Sequence, residues 1–160
     1  MKVLVVSDTH GIVKPFIKEL EKHKDAEMIF HLGDMVHDAL KIKENTDIPM
    51  VIVRGNNDYF SENTPWSQIV RIKGHKILLT HGHMEKINYG ITSLYFKAKE
   101  SEADLVFYGH THVYSDEYID GIRLINPGSA GYDRARQYES YVVMNIEEDS
   151  IEIERVKLTN

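Results

Sequence analysis

Five short apolar runs along the chain each end in a cluster of Asp, Asn or His. Val3–Val6 leads to Ser7-Asp8-Thr9-His10, Met28–Leu32 to Gly33-Asp34, and Met50–Val53 to Arg54-Gly55-Asn56-Asn57-Asp58. Ile77–Leu79 leads to Thr80-His81-Gly82-His83, and Leu105–Phe107 to Gly109-His110-Thr111-His112. Runs of this length, rich in strand-forming residues and bounded by Gly and Asp, predict buried strands. Between the first two, Phe16, Ile17 and Leu20 share one face of a helix predicted over Pro15–His23, with Pro15 tolerated in its first turn. A second helix is predicted from Met35 to Glu44, burying Val36, Ala39 and Leu40. Ile91, Leu94, Tyr95 and Ala98 recur at helical spacing in a third. Ile69–Ile72 reads as a strand joined at Gly74 to Ile77–Thr80. In the last third, Val113–Ile119 and Ile122–Ile125 flank Asp120-Gly121, a two-residue hairpin signal, and Tyr141–Ile146 and Ile151–Val156 flank an acidic turn.

Strand–helix alternation followed by antiparallel hairpins predicts an α/β chain of two packed sheets with helices outside. No internal repeat or interdomain linker interrupts it, so one domain is expected over residues 1–160. In open α/β sheets ligands bind beyond the carboxyl ends of the strands. Five clusters of metal-ligand type at five such ends point to one site, most simply a pair of metal ions.

Composition narrows the setting. With 42% hydrophobic and 28% charged residues, a chain of 160 can bury a substantial core. The absence of cysteine excludes disulfides and thiolate metal sites and fits a reducing cytoplasm, the location expected here. The N-terminus enters a strand without signal-peptide features, and no apolar stretch reaches the roughly 18 residues a membrane helix needs. A net charge of −6 argues against long nucleic acids and anionic membranes as partners. Bound divalent ions would reverse the field locally, so a phosphate could still be received.

The chemistry rests on residue types and spacing. Asp8 and His10 are two apart, so in extended backbone both side chains leave on one side. A carboxylate with an imidazole suits Mn, Fe, Zn or Ni. Asp34 can place its two oxygens on two ions. His110 and His112 repeat the same spacing, Asn56 offers an amide oxygen, and His81 a further imidazole. Each motif alone has an ordinary explanation, such as a helix cap for Asp34 or a turn for Gly55–Asp58. Their joint placement favours a metal centre. Of the other histidines, His23 and His75 read as surface residues, and His31 as a hydrogen-bonded core residue. His37, one turn after Asp34, could overhang the site.

In this order, Asp8-x-His10, Gly33-Asp34, Gly55-Asn56-x-Asp58, His81-Gly82-His83 and Gly109-His110-x-His112 resemble the motifs of the calcineurin-like metallophosphoesterases. The short length and the Asn126-Pro127-Gly128-Ser129 loop are similar to the small YfcE-type bacterial and archaeal phosphodiesterase branch, whose fold the retromer subunit shares. The resemblance implies a four-layer αββα sandwich of two mixed sheets flanked by helices. It implies one ion on Asp8, His10, Asp34 and His112, and another on Asp34, Asn56, His81 and His110, with Asp34 bridging. Manganese is the expected metal, with Fe, Ni or Zn as alternatives and Mg disfavoured by the histidines. The reaction implied is hydrolysis of a small phosphodiester by a hydroxide shared between the ions.

One departure concerns the leaving group. Where many larger members carry a His that assists it, this chain has Asn57, which cannot give up a proton at neutral pH. Asn57 and Asp58 are expected to contact substrate, and His83 is a candidate acid whose alternative reading is a turn residue. A phosphomonoesterase on the same metals ranks second, because only Arg54, Arg134 and Arg136 lie near the motif loops. A retromer-type scaffold ranks third, since the ligand set is intact, and a nuclease for long polymers last. Tyr59-Phe60 and Trp66 could serve a homo-oligomer interface, although core packing is the simpler reading of Trp66.

Overall fold

The computed structural model describes residues 1–159; Asn160, where the expected domain ends, lies outside the described residues. The chain opens as a repeated strand–helix unit: β1 (Lys2–Val6), α1 (Lys14–Leu20), β2 (Met28–His31), α2 (Val36–Lys43) and β3 (Met50–Ile52). β1, β2 and β3 pair in parallel, as helix-connected strands must when both helices pack on one face. A second group follows: β4 (Ser67–Ile72), β5 (His75–Thr80), α3 (Thr92–Glu100), β6 (Leu105–Phe107), β7 (Ser115–Ile119) and β8 (Ile122–Asn126). It forms a sheet of order β4-β5-β6-β8-β7. Its hairpins turn at Lys73-Gly74 and Asp120-Gly121. All four residues have positive φ, the two-residue geometry whose twist matches that of the strands. The final hairpin, β9 (Ser140–Ile146) and β10 (Ile151–Lys157), returns to the first sheet, giving the order β10-β9-β1-β2-β3.

Alternation along the strands builds the layers. Val3 and Val5 of β1, Ile77 and Leu79 of β5, Leu105 and Phe107 of β6, and Val142 and Met144 of β9 meet in a core between the two sheets. The residues between them face outward. Leu4 and Val6 pack with Phe16, Leu20 and Ile42 beneath α1 and α2, while Leu78 and Val106 pack with Leu94 and Ala98 beneath α3. Both faces of each central strand are therefore buried, which is why those runs are continuously apolar. The result is the expected four-layer αββα arrangement. Among the described residues no helix is long and apolar enough to cross a membrane.

Local departures from the sequence reading have identifiable causes. α1 stops at Leu20, where the bonds Lys22 N–H to Glu19 O and His23 N–H to Leu20 O tighten into turns. His23 thus leaves the helix and meets the buried Tyr141 hydroxyl at 2.7 Å. α2 begins after Met35, whose φ of 88° breaks the backbone, and buries Val36, Asp38, Ala39 and Ile42. Leu40, expected inside, lies just beyond that face and is 49% exposed because Asp38 turns inward to bind the chain after β1. Val113 and Tyr114 precede β7 because His112 sits at φ 60°, outside strand geometry. Trp66 is not core: it is 39% exposed under the Arg54 guanidinium, 3.8 Å from its ring centre.

Candidate metal centre

Asp8, His10, Asp34, His81, His110 and His112 lie near one another where the carboxyl ends of strands from the two sheets adjoin. Asp8, His10, Asp34 and His112 each offer one ligand atom, and these atoms all lie within 4.8 Å of one another. Asp8 Oδ2 is held by the Ser7 hydroxyl (2.5 Å) and the His110 N–H (3.0 Å), which leaves Oδ1 facing the imidazoles. His112 Nε2 stands 3.1 Å from that oxygen, His81 Nε2 3.9 Å and His10 Nε2 4.0 Å. Asp34 lies between two groups of histidines: its Oδ1 is 3.3 Å from His81 Nε2 and its Oδ2 3.9 Å from His10 Nε2. Asn57 braces it, donating from its N–H to Oδ1 (3.0 Å) and from Nδ2 to Oδ2 (2.6 Å).

Hydrogen bonds on the far side of two rings set their tautomers. His81 Nδ1 meets Leu32 O at 2.7 Å and His112 Nδ1 meets Tyr132 O at 2.9 Å. A carbonyl only accepts, so the proton belongs on Nδ1 and the Nε2 lone pair faces inward, as in histidines that bind metals. His10 Nε2 and His112 Nε2 face each other at 3.1 Å. Asp8 Oδ1, Asn56 Oδ1 and His81 Nε2 are buried without a hydrogen-bond partner. Orphaned acceptors of this kind are costly and rare, and a cation would satisfy all of them at once. The donor set therefore fits divalent ions. His110 lies beside His81, ring centres 5.2 Å apart, and its Nε2 meets the Asn88 side-chain amide at 2.9 Å.

The backbone is shaped for this convergence. Asp8, His10, Asp34, His110 and His112 all have positive φ, between 44° and 69°, a conformation non-glycine residues seldom adopt and that clusters at functional sites. Gly55 and Gly109 allow the loops to close on them. A Cβ at Gly55 would collide with Asp34 Oδ1, and one at Gly109 would lie 2.7 Å from Asp8 Oδ2.

Several supporting residues were not legible from motif spacing. Ser129 of the Asn-Pro-Gly-Ser loop donates to Asp8 O (2.7 Å), while Asn126 Nδ2 donates to Gly109 O (2.8 Å). That loop therefore braces both the first and the last motif. Asp38 is fully buried, and its Oδ2 accepts the Thr9 hydroxyl (2.9 Å) and the Gly11 N–H (2.6 Å), holding the turn that carries His10. Its only sequence signal was an acid at an inward helical position. Asp58, expected to contact substrate, is engaged from inside the protein. Its Oδ1 accepts the N–H groups of Met35 and Val36 and its Oδ2 that of Gly55, so it ties two motif loops together from inside. His83 has a buried Nδ1 without a partner, and its ring lies 5.4 Å from that of His81 and 5.1 Å from Trp66. The Asp38 geometry carries a prediction. Asp38→Ala should weaken Mn²⁺ binding about 10- to 100-fold, as loss of an outer partner of a ligand does. Calorimetric titration of metal-free protein measures it, and an affinity within twofold of wild type would refute the role.

Electrostatics follow from burial and neighbours. Burial alone would raise both aspartates, but His112, His81 and Ser7 hold Asp8 below the usual carboxylate range, and His81 with Asn57 holds Asp34 well below it. Burial would lower His81, yet Asp34 and Asp8 outweigh it and raise its pKa. His31 behaves oppositely: fully buried under the site, it is pushed down to about 4, chiefly by burial. Its unfolded value is 6.5, so its stabilisation is complete above pH 6.5 and is lost as pH falls toward 4. The loss approaches about 1.4 kcal/mol per pH unit in that window. Between pH 7 and 4.5, urea unfolding of metal-free wild type should lose stability more steeply than that of His31→Asn, whose amide oxygen can replace Nδ1 as acceptor for the Gly33 N–H (3.3 Å). Parallel curves would show that His31 does not titrate as stated.

Comparison with known proteins agrees with this geometry. Residues 1–149 match the calcineurin-like phosphoesterase superfamily domain. The chain is 32% identical over 151 residues to the probable metallophosphoesterase YsnB of Bacillus subtilis, covering 94% of this chain and 87% of that protein. It is 27% identical over 169 residues to phosphodiesterase YfcE of Escherichia coli, covering 91% and 88%. The structure of a predicted phosphoesterase from Streptococcus pneumoniae superposes with a TM-score of 0.84 at 26% identity, covering 98% and 88% of the two chains. Vps29 of Entamoeba histolytica, solved with zinc, gives 0.81 at 22% identity over 98% and 99%, a likeness of fold alone. With its fold and its motif residues gathered at one centre, the chain belongs to the calcineurin-like phosphoesterase superfamily, in the small YfcE-type branch.

Proposed function

We propose that this protein is a metal-dependent phosphodiesterase that hydrolyses small phosphodiesters at a centre for two divalent ions, manganese by preference. The observation that carries the reading is the position of Asp34, whose two oxygens are each approached by an imidazole from a different loop. Asp8, His10, Asp34 and His112 would hold one ion, and Asp34, Asn56, His81 and His110 the other. Such ions supply Lewis acidity toward the phosphoryl oxygens and a nucleophile at neutral pH. The protein's own part is to fix the ligands: Asn57 orients Asp34, Ser7 and Ser129 orient Asp8, and Asp38 holds the His10 turn. Among the described residues, the basic side chains within 4 Å of Asp8 or Asp34 are all histidines. Arg54 is engaged by Trp66 and by Ser61 O (3.3 Å). With no arginine or lysine among the described residues beside the aspartates to match a second phosphate charge, a monoanionic diester suits the site better than a dianionic monoester.

The test is reconstitution of metal-free protein with Mn²⁺, Ni²⁺, Zn²⁺ or Mg²⁺, assayed on bis-nitrophenyl phosphate and nitrophenyl phosphate. Mn²⁺ should restore the most activity, with the diester preferred at least about tenfold in kcat/KM, on the order of 1.4 kcal/mol. Preference for the monoester would replace this reading with a phosphomonoesterase. Inactivity with every metal and both esters would favour a scaffold.

A further inference from the structure

The loop after the third motif presents aromatic side chains in a groove that Asn57 connects to Asp34. Met35, His37, Asn57, Tyr59 and Phe60 wall a groove on the protein surface. Its inner end is Asn57, whose amide lies 2.6 Å from Asp34 Oδ2. Its outer wall is unusual: Phe60 is 101% exposed and Tyr59 76%. Exposed large aromatics are informative when the chain holds them out. Here it does, because the loop is tied down from within. Asp58 is buried and its carboxylate accepts three backbone N–H groups, Ser61 N–H donates to Asp58 O (3.1 Å), and Arg54 donates to Ser61 O (3.3 Å). His37, at the start of α2, stands in the same lining as Met35, Tyr59 and Phe60 and brings a hydrogen-bonding ring to it.

Resting on the phosphodiesterase reading, we propose that this groove is the subsite for the ester group retained on phosphorus, and that it selects a planar aromatic group, a nucleoside base or an aryl ring, over an alkyl group. Phe60 and Tyr59 offer ring faces for stacking, which tolerates any flat π-system. The group held here is the retained one because the groove's inner residue, Asn57, has no proton to give to a departing oxygen. The net charge of −6 and the histidine-only surroundings of the aspartates limit the ligand to a short diester rather than a polymer.

Three substrates with a common nitrophenolate leaving group test it: the methyl, phenyl and thymidine nitrophenyl phosphate diesters, assayed with Mn²⁺-loaded protein. Stacking should lower KM for the phenyl and thymidine esters about tenfold relative to the methyl ester. Phe60→Ala should bring that ratio close to one, and Phe60→Trp should keep it. Since Phe60 is fully exposed, neither variant threatens the fold. A preference for thymidine alone would assign the groove to nucleosides, and one shared with phenyl to aryl groups generally. Equal KM values for all three esters in wild type, or a ratio untouched by Phe60→Ala, would overturn the subsite while leaving the diesterase standing. So would a change in solution mass of Phe60→Ala with an unchanged ratio, which would assign the aromatics to contact between copies. Failure to hydrolyse any of the three with any metal would sink the diesterase and the subsite together.

Discussion

Asp34→Asn is expected to lower kcat/KM for bis-nitrophenyl phosphate by about 10³-fold or more, and Asn57→Ala by about tenfold. The first figure follows from the several kcal/mol that metal-ion charge stabilisation contributes to such reactions. The second is typical of a group that orients a ligand without contacting the ion. The contrast rests on geometry: Asp34 faces His81 with one oxygen and His10 with the other, while Asn57 reaches the centre through Asp34. An amide at position 34 keeps the side chain's size but removes the charge that both halves of the site would share. Kinetics on Mn²⁺-reconstituted variants, with calorimetric Mn²⁺ titration beside them, measure both effects. Similar mild losses in the two variants, with metal affinity unchanged, would remove the bridging role.

Rates in the wild type are expected to rise steeply as the leaving-group pKa falls, with nitrophenyl diesters cleaved far faster than dialkyl ones. A positioned general acid contributes about 10²–10⁴-fold where leaving is difficult, and Asn57 cannot be one. Its amide is moreover occupied, with Nδ2 donating to Asp34. The remaining candidate nearby is His83, which has a free Nδ1 and a ring 6.1 Å from that of His110. Its pKa is lowered, first by burial and then by the charge of His81. A series of diesters differing only in leaving group measures the slope. A flat dependence with a rate-limiting chemical step would mean that another acid is present, and loss of that flatness in His83→Ala would identify it.

What the chain determined on its own is largely local. Alternating apolar residues define each strand because successive side chains point to opposite faces, and the structure buries both faces of the central strands as those runs require. The Asp-Gly hairpin was legible because positive φ at both turn residues is a local demand. The polar clusters were legible as motif residues, and Asp8, His10, Asp34 and His112 offer ligand atoms within 4.8 Å of one another. Their closeness, however, is a property of the two-sheet arrangement: His10 and His112 are 102 positions apart and 3.1 Å between ring nitrogens. The return of the last hairpin to pair with β1 is likewise non-local, since either sheet offers an edge with the same hydrogen-bonding groups. Only packing decided which acids turn inward. Asp38 and Asp58 have the composition of surface residues, yet both are buried because backbone N–H groups of distant loops have no other acceptor. The outward Tyr59-Phe60 pair follows from the same event: the buried carboxylate of Asp58 holds the loop, and the aromatics beside it are left facing solvent.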